Sequence, residues 1–581
     1  ASEDDRTWIT ANGEFYDFER IQDELRGAGH SLRSGSDSEI ALHLYEDLGP
    51  HCLHHLRGEF AFVIWDGRHR QLFAARDRFG VKPLFWARHE GFLYLASEVK
   101  ALFEAGVPAR WDLESVHHGP AFRRPDRTFF EGVKAIPPGH YLLADDQGVR
   151  VFQYWDIHYP MAGAHSGTVG DEEAIQGFRE VLDESVRLRL RADVPVGCYL
   201  SGGLDSCAVL GLAQRHVSRP IRAFTLSFDR AEYDEEAIAR EMAEHAGAEF
   251  VPIYITQDLL ADHLPEAITA CETFAVNAHG VAKFLLSRAV RDAGFKVVLT
   301  GEGSDEMLAG YPHWRRDMLL YNPQGQDPGE VDRLLEDLAA ANQVSRGLLM
   351  PEKDSAHTSD SELLSRVLGF VPTWMIPQFK MARARVGVYA PGVFDDVVER
   401  DLAAFLLGGL DVQNQLMGRD PVHQSLYLWA KTALPDYILT VLGDRMEMAH
   451  SIEGRVAFLD HHVAEYLRTI PVHLKIRGMT EKFILREATR HVLTDTVYRR
   501  QKHPFLSPPA ALDPSGRLHQ LTQDTLRGSA VENVPWLHAP AVRAFMDSVE
   551  EMDDAERVAT DPMVMWLMSA VFLQEGMGLA S

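Results

Sequence analysis

Two hydrophobic rhythms divide the chain. Up to about residue 157, short apolar runs alternate with turn residues at strand spacing. Residues 61–65, the turn Asp66-Gly67 and residues 71–75 predict a hairpin; 82–86 and 92–95 continue the meander. Residues 140–143 and 149–152 predict another pair about a turn at Asp146-Gln147-Gly148. Residues 158–170, holding Pro160, Gly163, Ser166 and Gly167, read as a linker. From residue 171, strand-length runs alternate with helical period. Strands are expected at 196–200, 221–228, 250–255 (Pro252 marking an edge) and 296–300. Asp234 is expected to cap a helix that stops at Gly247, and Gly294 to follow a helix over 280–293. This alternation predicts a doubly wound parallel sheet with helices on both faces, behind a layered, mainly antiparallel first domain. Residues 315–435 carry helical patterns broken by Pro and Gly and read as an insertion, and the remainder to residue 581 is mainly helical.

Chemistry concentrates where two of these strands end. Ser201-Gly202-Gly203-Leu204-Asp205-Ser206 lies between an apolar strand and an apolar helix. A strand that breaks into glycines before a helix offers backbone N–H groups and a positive dipole end to an anion. The serines add hydroxyl donors, and Asp205 is placed to hold a Mg²⁺ between phosphates. No Gly-Lys-Ser/Thr follows, so this is not a P-loop. About a hundred residues on, the strand 296–300 ends in Gly301-Glu302-Gly303-Ser304-Asp305-Glu306. Neighbouring parallel strands bring both turns to one sheet edge, where Asp205 and Asp305 can share the cation and Glu302 lies beside the reacting centre.

Composition narrows the partners. Forty-six per cent apolar residues and a charged quarter are those of a globular chain, and 581 residues allow two or more domains. A net charge of −27 argues against nucleic acid as a partner. The four cysteines show no metal-ligand spacing, and three lie in segments that read as buried; no apolar run reaches membrane-spanning length. The expectation is a cytoplasmic protein that engages neither nucleic acid nor membrane.

With both turns in place, the chain resembles the glutamine-dependent asparagine synthetase family over nearly its whole length. Further matching segments are Asp444-Arg445-Met446-Glu447-Met448-Ala449-His450-Ser451, Glu453 to Asp460, and Glu481-Lys482-Phe483-Ile484-Leu485-Arg486. The amino-terminal half matches through Asn12-Gly13-Glu14, Ser34-Gly35-Ser36-Asp37, Arg76-Asp77-Arg78-Phe79-Gly80 and Ala96-Ser97-Glu98-Val99-Lys100. The resemblance implies an Ntn-hydrolase-type glutaminase over residues 1–157, an antiparallel β-sandwich flanked by helices, and an ATP-dependent synthetase over 171–581. It implies adenylation of an acceptor carboxylate by MgATP, then displacement of AMP by glutamine-derived ammonia. Leu200, Ser201, Gly202, Gly203, Leu204, Asp205, Ser206, Leu226, Thr300 and Gly301 would bind ATP and pyrophosphate. Asp205 and Asp305 would hold Mg²⁺. Lys482, on a helix begun by Thr480, would meet the phosphates, with Arg486 a second candidate one turn on. Glu302 would orient ammonia or take its proton; Asp444 either assists it or pairs with Arg445. Asn12 and the Gly13 N–H would form an oxyanion hole, while Glu14 and Asp37 bind the glutamine α-ammonium. A homodimer is the assembly expected if the chain self-associates.

The chain departs from the family pattern twice. The family's glutaminase uses an amino-terminal cysteine, whereas this chain starts Ala1-Ser2-Glu3. Retention of Asn12, Gly13, Glu14 and Asp37 leads to the expectation of a further segment before Ala1. Second, Glu272-Thr273 is followed by Phe274-Ala275-Val276-Asn277-Ala278-His279-Gly280, without the arginine that seats ATP and aspartate in the family. Lys283 either compensates or is a helix-surface residue. The acceptor is therefore aspartate or another carboxylate, with 315–435 available to shape a larger pocket. Transfer of a substituted amine, a glutaminase-free lactam synthetase and a silent nucleotide-binding relative remain as alternatives. Lactam-forming relatives place a tyrosine where Glu302 stands, which favours external ammonia.

Overall fold

The computed structural model describes residues 1–164, 170–230, 233–322, 328–341, 351, 361–502, 505–509 and 513–580. Ser166 and Gly167 of the expected linker, and much of 323–360, lie outside them. The amino-terminal half is built on strands β1 (Thr7–Tyr16), β2 (Arg57–Asp66), β3 (Gln71–Arg76), β4 (Phe85–His89), β5 (Phe92–Ala96), β6 (Val133–Ala135), β7 (His140–Asp145) and β8 (Gly148–Gln153). They form two antiparallel sheets, ordered β1-β2-β3-β7-β8 and β5-β4-β6. Strand alternation assigns the faces of β2. Phe60, Phe62 and Ile64 point to helices α1 (Phe18–Gly27) and α2 (Glu39–Leu48), while Ala61 and Val63 meet Trp86 of the second sheet and Leu84 and Ile136, which flank its strands. The expected single meander is corrected here. After β3 the chain leaves the large sheet to form the small one, and β7 returns as the neighbour of β3.

The second half carries an all-parallel sheet of β9 (Val196–Tyr199), β10 (Arg222–Phe228), β11 (Glu249–Ile255), β12 (Val297–Thr300) and β13 (Glu453–Val456), ordered β11-β10-β9-β12-β13. β11, with Pro252, is an edge strand. The chain steps from β9 outward to β11 and then crosses to the other side of β9 for β12. The switch point falls between β9 and β12, where open α/β sheets bind ligands. Helices α3 (Leu204–His216), α4 (Glu236–Ala246), α5 (Gln257–Cys271) and α6 (His279–Asp292) flank this sheet. Buried Cys198 and Leu299 face α3, while Tyr199 and Val298 face Leu286 and Val290 of α6. Asp234 is not the cap of α4. Its Oδ1 accepts from Ser227 Oγ and Phe228 N and so ties down the end of β10, while Gly247 does stop α4 at φ 73°.

The 315–435 stretch includes α7 (Met375–Val386) and α8 (Pro421–Lys431), packed on the same core as the sheet. Beyond it lie β14 (Ile476–Arg477), β15 (Thr480–Glu481), α9 (Phe483–Thr489) and the long α10 (Asp554–Gly576), which is buried over most of its second half. Ile157 and Tyr159, next to and within the expected linker, are buried in that core. All four cysteines are buried and free. Among the described residues, no helix is long and apolar enough to cross a membrane.

Candidate functional site

The two glycine-bearing turns meet at the switch point. Leu299 pairs with Cys198 in the parallel register, so the loops leaving β9 and β12 stand side by side. Gly301 makes the contact close: a Cβ there would lie 2.9 Å from Ser206 N and 3.0 Å from the Asp205 Cβ. Ser304 Oγ donates to Asp205 Oδ1 at 2.7 Å, tying one loop to the other. Inside the first loop, Ser206 Oγ accepts from Ser201 N at 3.1 Å and contacts Ser201 Oγ at 3.0 Å. The α3 dipole points at this turn.

Two ammonium groups clasp the paired carboxylates. Lys482 Nζ is 2.6 Å from both Asp205 Oδ1 and Asp305 Oδ1. Lys502 Nζ is 2.6 Å from Asp305 Oδ2 and 3.5 Å from Asp205 Oδ2. Burial pushes the Asp205 carboxyl up, but the two lysines outweigh it and hold it at about 2. Burial opposes the Lys502 charge, yet Asp305 and Asp205 raise its pKa well above the usual lysine range. Beside them Glu306 is pushed up to about 7 by burial and by Asp305. Asp205 and Asp305 together present four hard carboxylate oxygens in one place, a donor set that suits Mg²⁺, and the serines and lysines around them suit a polyphosphate.

Lys482 does not lie on a helix begun by Thr480. Thr480 and Glu481 pair with Arg477 and Ile476 in a two-residue ladder, and Lys482 precedes α9 at φ 52°. Left-handed backbone at a non-glycine residue is uncommon, and here it turns the ammonium back onto both aspartates. Arg486 is corrected as a phosphate candidate. Its guanidinium is held by Glu481 and by the Tyr498 carbonyl. Lys502, by contrast, belongs to no family motif, and its one sequence signal is the basic run Arg499-Arg500-Gln501-Lys502. Arg500 Nη1 donates to the Gly202 carbonyl at 2.9 Å, and Gly202 N donates to Glu235 at 3.2 Å. Gly203 N donates to Ser201 Oγ at 3.1 Å. Leu204, Leu226 and Thr300 sit at the start of α3 and the ends of β10 and β12 around the loops.

Glu302 has a cation of its own. Lys283 Nζ is 2.9 Å from Glu302 Oε1 and 3.2 Å from Glu447 Oε1, and it is buried, not a helix-surface residue. Burial raises the Glu302 carboxyl, but Lys283 outweighs it and brings its pKa below the usual value. Glu447, with half of the same ammonium and Glu302 nearby, is pushed up to about 7, chiefly by burial. Asp444 does not form the expected pair with Arg445. It accepts from Lys82 Nζ of the amino-terminal half at 2.8 Å, while Arg445 pairs with Glu272 at 2.9 Å.

The two halves meet through further buried charges. Arg189 bridges Glu59 (3.0 Å) and Asp460 (2.9 Å), and Arg57 reaches Asp460. Asn12 and Gly13 lie inside β1, not in a hairpin turn, and a Cβ at Gly13 would fall 2.0 Å from the Glu59 carbonyl. Asp37 Oδ2 accepts from Phe15 N at 2.7 Å, and Glu14 lies 3.2 Å from Arg455 of the second half. Burial pushes Glu14 to about 7, even though Arg455 pulls it down. The structure thus gathers Glu14 with Asp37, Asp205 with Asp305 and Lys482, and Glu302 near Lys283. It separates Asp444 from Arg445.

A cavity opens from these loops. Ser201, Asp205, Ser206, Glu302, Asp305 and Lys502 line one part of it, and Leu200, Leu226 and Gly301 border them. Phe274, Trp374, Trp429, Tyr437 and Trp566 line another part.

Comparison with known proteins agrees with this arrangement. The family profile described as asparagine synthase matches residues 177–573, and that described as glutamine amidotransferase domain matches residues 1–155. The chain is 33% identical to amidase chyE of Penicillium rubens, over 95% of this chain and 84% of that protein. It is 32% identical to amidase chry2 of Gibberella zeae, over 92% and 82%. It is 29% identical to asparagine synthetase [glutamine-hydrolyzing] 3 of Bacillus subtilis, over 86% and 75%.

Proposed function

The chain belongs to the asparagine synthase family and is an ATP-dependent, glutamine-utilising ligase with a carboxylate acceptor; from that premise we propose how its own residues carry the reaction. The acceptor carboxylate attacks the α-phosphorus of ATP at the switch point. The bond between the α-phosphorus and its bridging oxygen breaks, and pyrophosphate leaves into the Ser201–Ser206 loop. Ammonia then attacks the acyl carbon, and AMP departs as the amide forms. Positioning and neutralisation of charge supply most of the rate in the first step. The juxtaposition of Asp205 and Asp305 across one lysine ammonium carries this reading.

Asp205 and Asp305 would hold Mg²⁺, which supplies neutralisation of the pyrophosphate oxygens. Lys482 and Lys502 meet the remaining phosphate charge, with the Ser201 and Ser206 hydroxyls as donors. Glu302 accepts the proton that ammonia loses on forming the amide, which requires a carboxylate ionised at neutral pH. Lys283 keeps it so. In the amino-terminal half, Asn12 and Gly13 stabilise the oxyanion, and Glu14 and Asp37 bind the glutamine α-ammonium. Ammonia passes to Glu302 from the interface that Arg455 and Lys82 line with buried charge.

The test is release of pyrophosphate and AMP by the 581-residue chain with MgATP, ammonium chloride and a panel of carboxylic acids. Acid-dependent release in a one-to-one ratio with amide is expected. ATP consumption that ignores every acid would refute the reading.

A further inference from the structure

The cavity that begins at the two turns has a wall that the adenylation chemistry does not use. It contains Phe274, Tyr437, Trp374 and Trp429, and Trp566 stacks on Phe274 with ring centroids 5.3 Å apart. Helix α7, inside the 315–435 stretch, turns a stripe of Pro377, Met381 and Arg385 toward it, at helical i, i+4, i+8 spacing.

Arg385 differs from every other cation on that lining. Lys283 has Glu302 and Glu447, and Lys502 has Asp305 and Asp205. Arg385 is only 4% exposed, and no carboxylate among the described residues pairs with it. Its Nε has no hydrogen-bond partner, and its guanidinium lies 5.5 Å from the centroid of the Trp566 ring. Gly119 backs it closely enough that a Cβ there would fall 2.1 Å from Nη1. Burial lowers its pKa, and only Tyr389 pulls the other way. A guanidinium taken out of water without a counter-charge is costly, and its planar fork is shaped for a carboxylate.

We propose that Arg385 and the aromatic wall recognise the acceptor, and that the acceptor is an acid with a flat aromatic body and a second anionic group. One carboxylate reaches the adenylation loops, the ring lies among Phe274, Trp374, Tyr437 and Trp566, and Arg385 forks the second anionic group. Aspartate fits this wall poorly: its α-ammonium would face the Arg385 guanidinium in place of a carboxylate, and it has no ring to lie against the aromatic side chains. The proposal rests on the ligase reading above and adds the substrate class to it.

The experiment compares L-aspartate, 3-phenylpropionate and 3-(4-carboxyphenyl)propionate as acceptors for pyrophosphate release, with ammonium chloride as nitrogen source. The aromatic diacid is expected to show a KM at least tenfold below that of the aromatic monoacid, with aspartate poorest. Arg385→Met should abolish that tenfold advantage while changing the KM for ATP less than twofold. Arg385→Lys should keep part of it. Preference for aspartate, or an Arg385→Met effect on ATP or on both aromatic acids alike, overturns the proposal while leaving the ligase reading intact. No release with any acid overturns both. If Arg385→Met does not fold, the wild-type ranking of the three acids decides alone.

Discussion

Asp205 and Asp305 approach each other so closely that a single ammonium, Lys482 Nζ, lies 2.6 Å from an oxygen of each. Two carboxylates from loops a hundred residues apart converge only because β9 and β12 are parallel neighbours. Without a cation they would repel in a buried site. Lys482 therefore holds the two aspartates together, besides the phosphate role proposed for it, and Lys502 shares the task through the other carboxylate oxygens. Lys482→Met and Lys502→Met are each expected to lower the rate of pyrophosphate release by about 10²–10³-fold, as when a preorganised charge is deleted. Lys482→Met should be the more damaging, since Lys482 lies 2.6 Å from each aspartate while Lys502 lies 2.6 Å from one and 3.5 Å from the other. Steady-state release assays check this, and unchanged rates in both variants would remove the lysines from the reaction.

How much of this was legible in the sequence follows from how local each feature is. The two turns, β12 and the helix stop at Gly247 announce themselves through glycine placement and apolar runs, and all appear where expected. Asp444 could not be placed from its neighbours, because its partner Lys82 comes from the other half of the chain. The helix expected from Thr480 failed for a related reason. The short ladder with Ile476 and Arg477 takes Thr480 and Glu481, which delays the helix and leaves Lys482 in left-handed backbone. Lys502 and Arg385 carry no motif at all. Their significance lies in which charges surround them, and that is set by packing across the sequence.

Gly310 gives a test that leaves every charge in place. A Cβ there would fall 2.0 Å from both Asp305 Oδ1 and Lys482 Cε. Neither atom can retreat without breaking the clasp. Gly310→Ala is expected to abolish pyrophosphate release while keeping the far-ultraviolet circular dichroism of the wild type. Near-wild-type release would mean the clasp is not needed for turnover.

Glu447 links this region to pH. Its carboxyl titrates at about 7 in the folded chain against 4.5 in the unfolded one. Below pH 4.5 both states hold the proton, so nothing is lost. Between 4.5 and 7 the unfolded chain ionises first and stability falls; above 7 the loss is complete. Glu447→Gln cannot ionise, and Lys283 keeps Glu302 at 2.9 Å. The variant should gain on the wild type by up to about 3 kcal/mol as pH rises from 5 to 8. Thermal melts at the two pH values measure the gap, and a gap that does not widen with pH contradicts the assignment.

Glu302 separates the two half-reactions. Its carboxylate belongs to the 301–306 loop but stands outside the aspartate clasp, held by Lys283 from α6. If it takes the proton of ammonia, adenylation proceeds without it and amide formation does not. Glu302→Gln removes the base and keeps the size, so Lys283 still finds an oxygen to donate to. Amide formation from ammonium chloride is expected to fall by about 10²–10⁴-fold, the range of a lost general base. Acid-dependent pyrophosphate release should fall far less, because water can discharge the adenylate. The ratio of pyrophosphate to amide, near one in the wild type, should therefore rise steeply in the variant. Measuring both products in one reaction decides it: a parallel loss of the two would place Glu302 in the adenylation step instead.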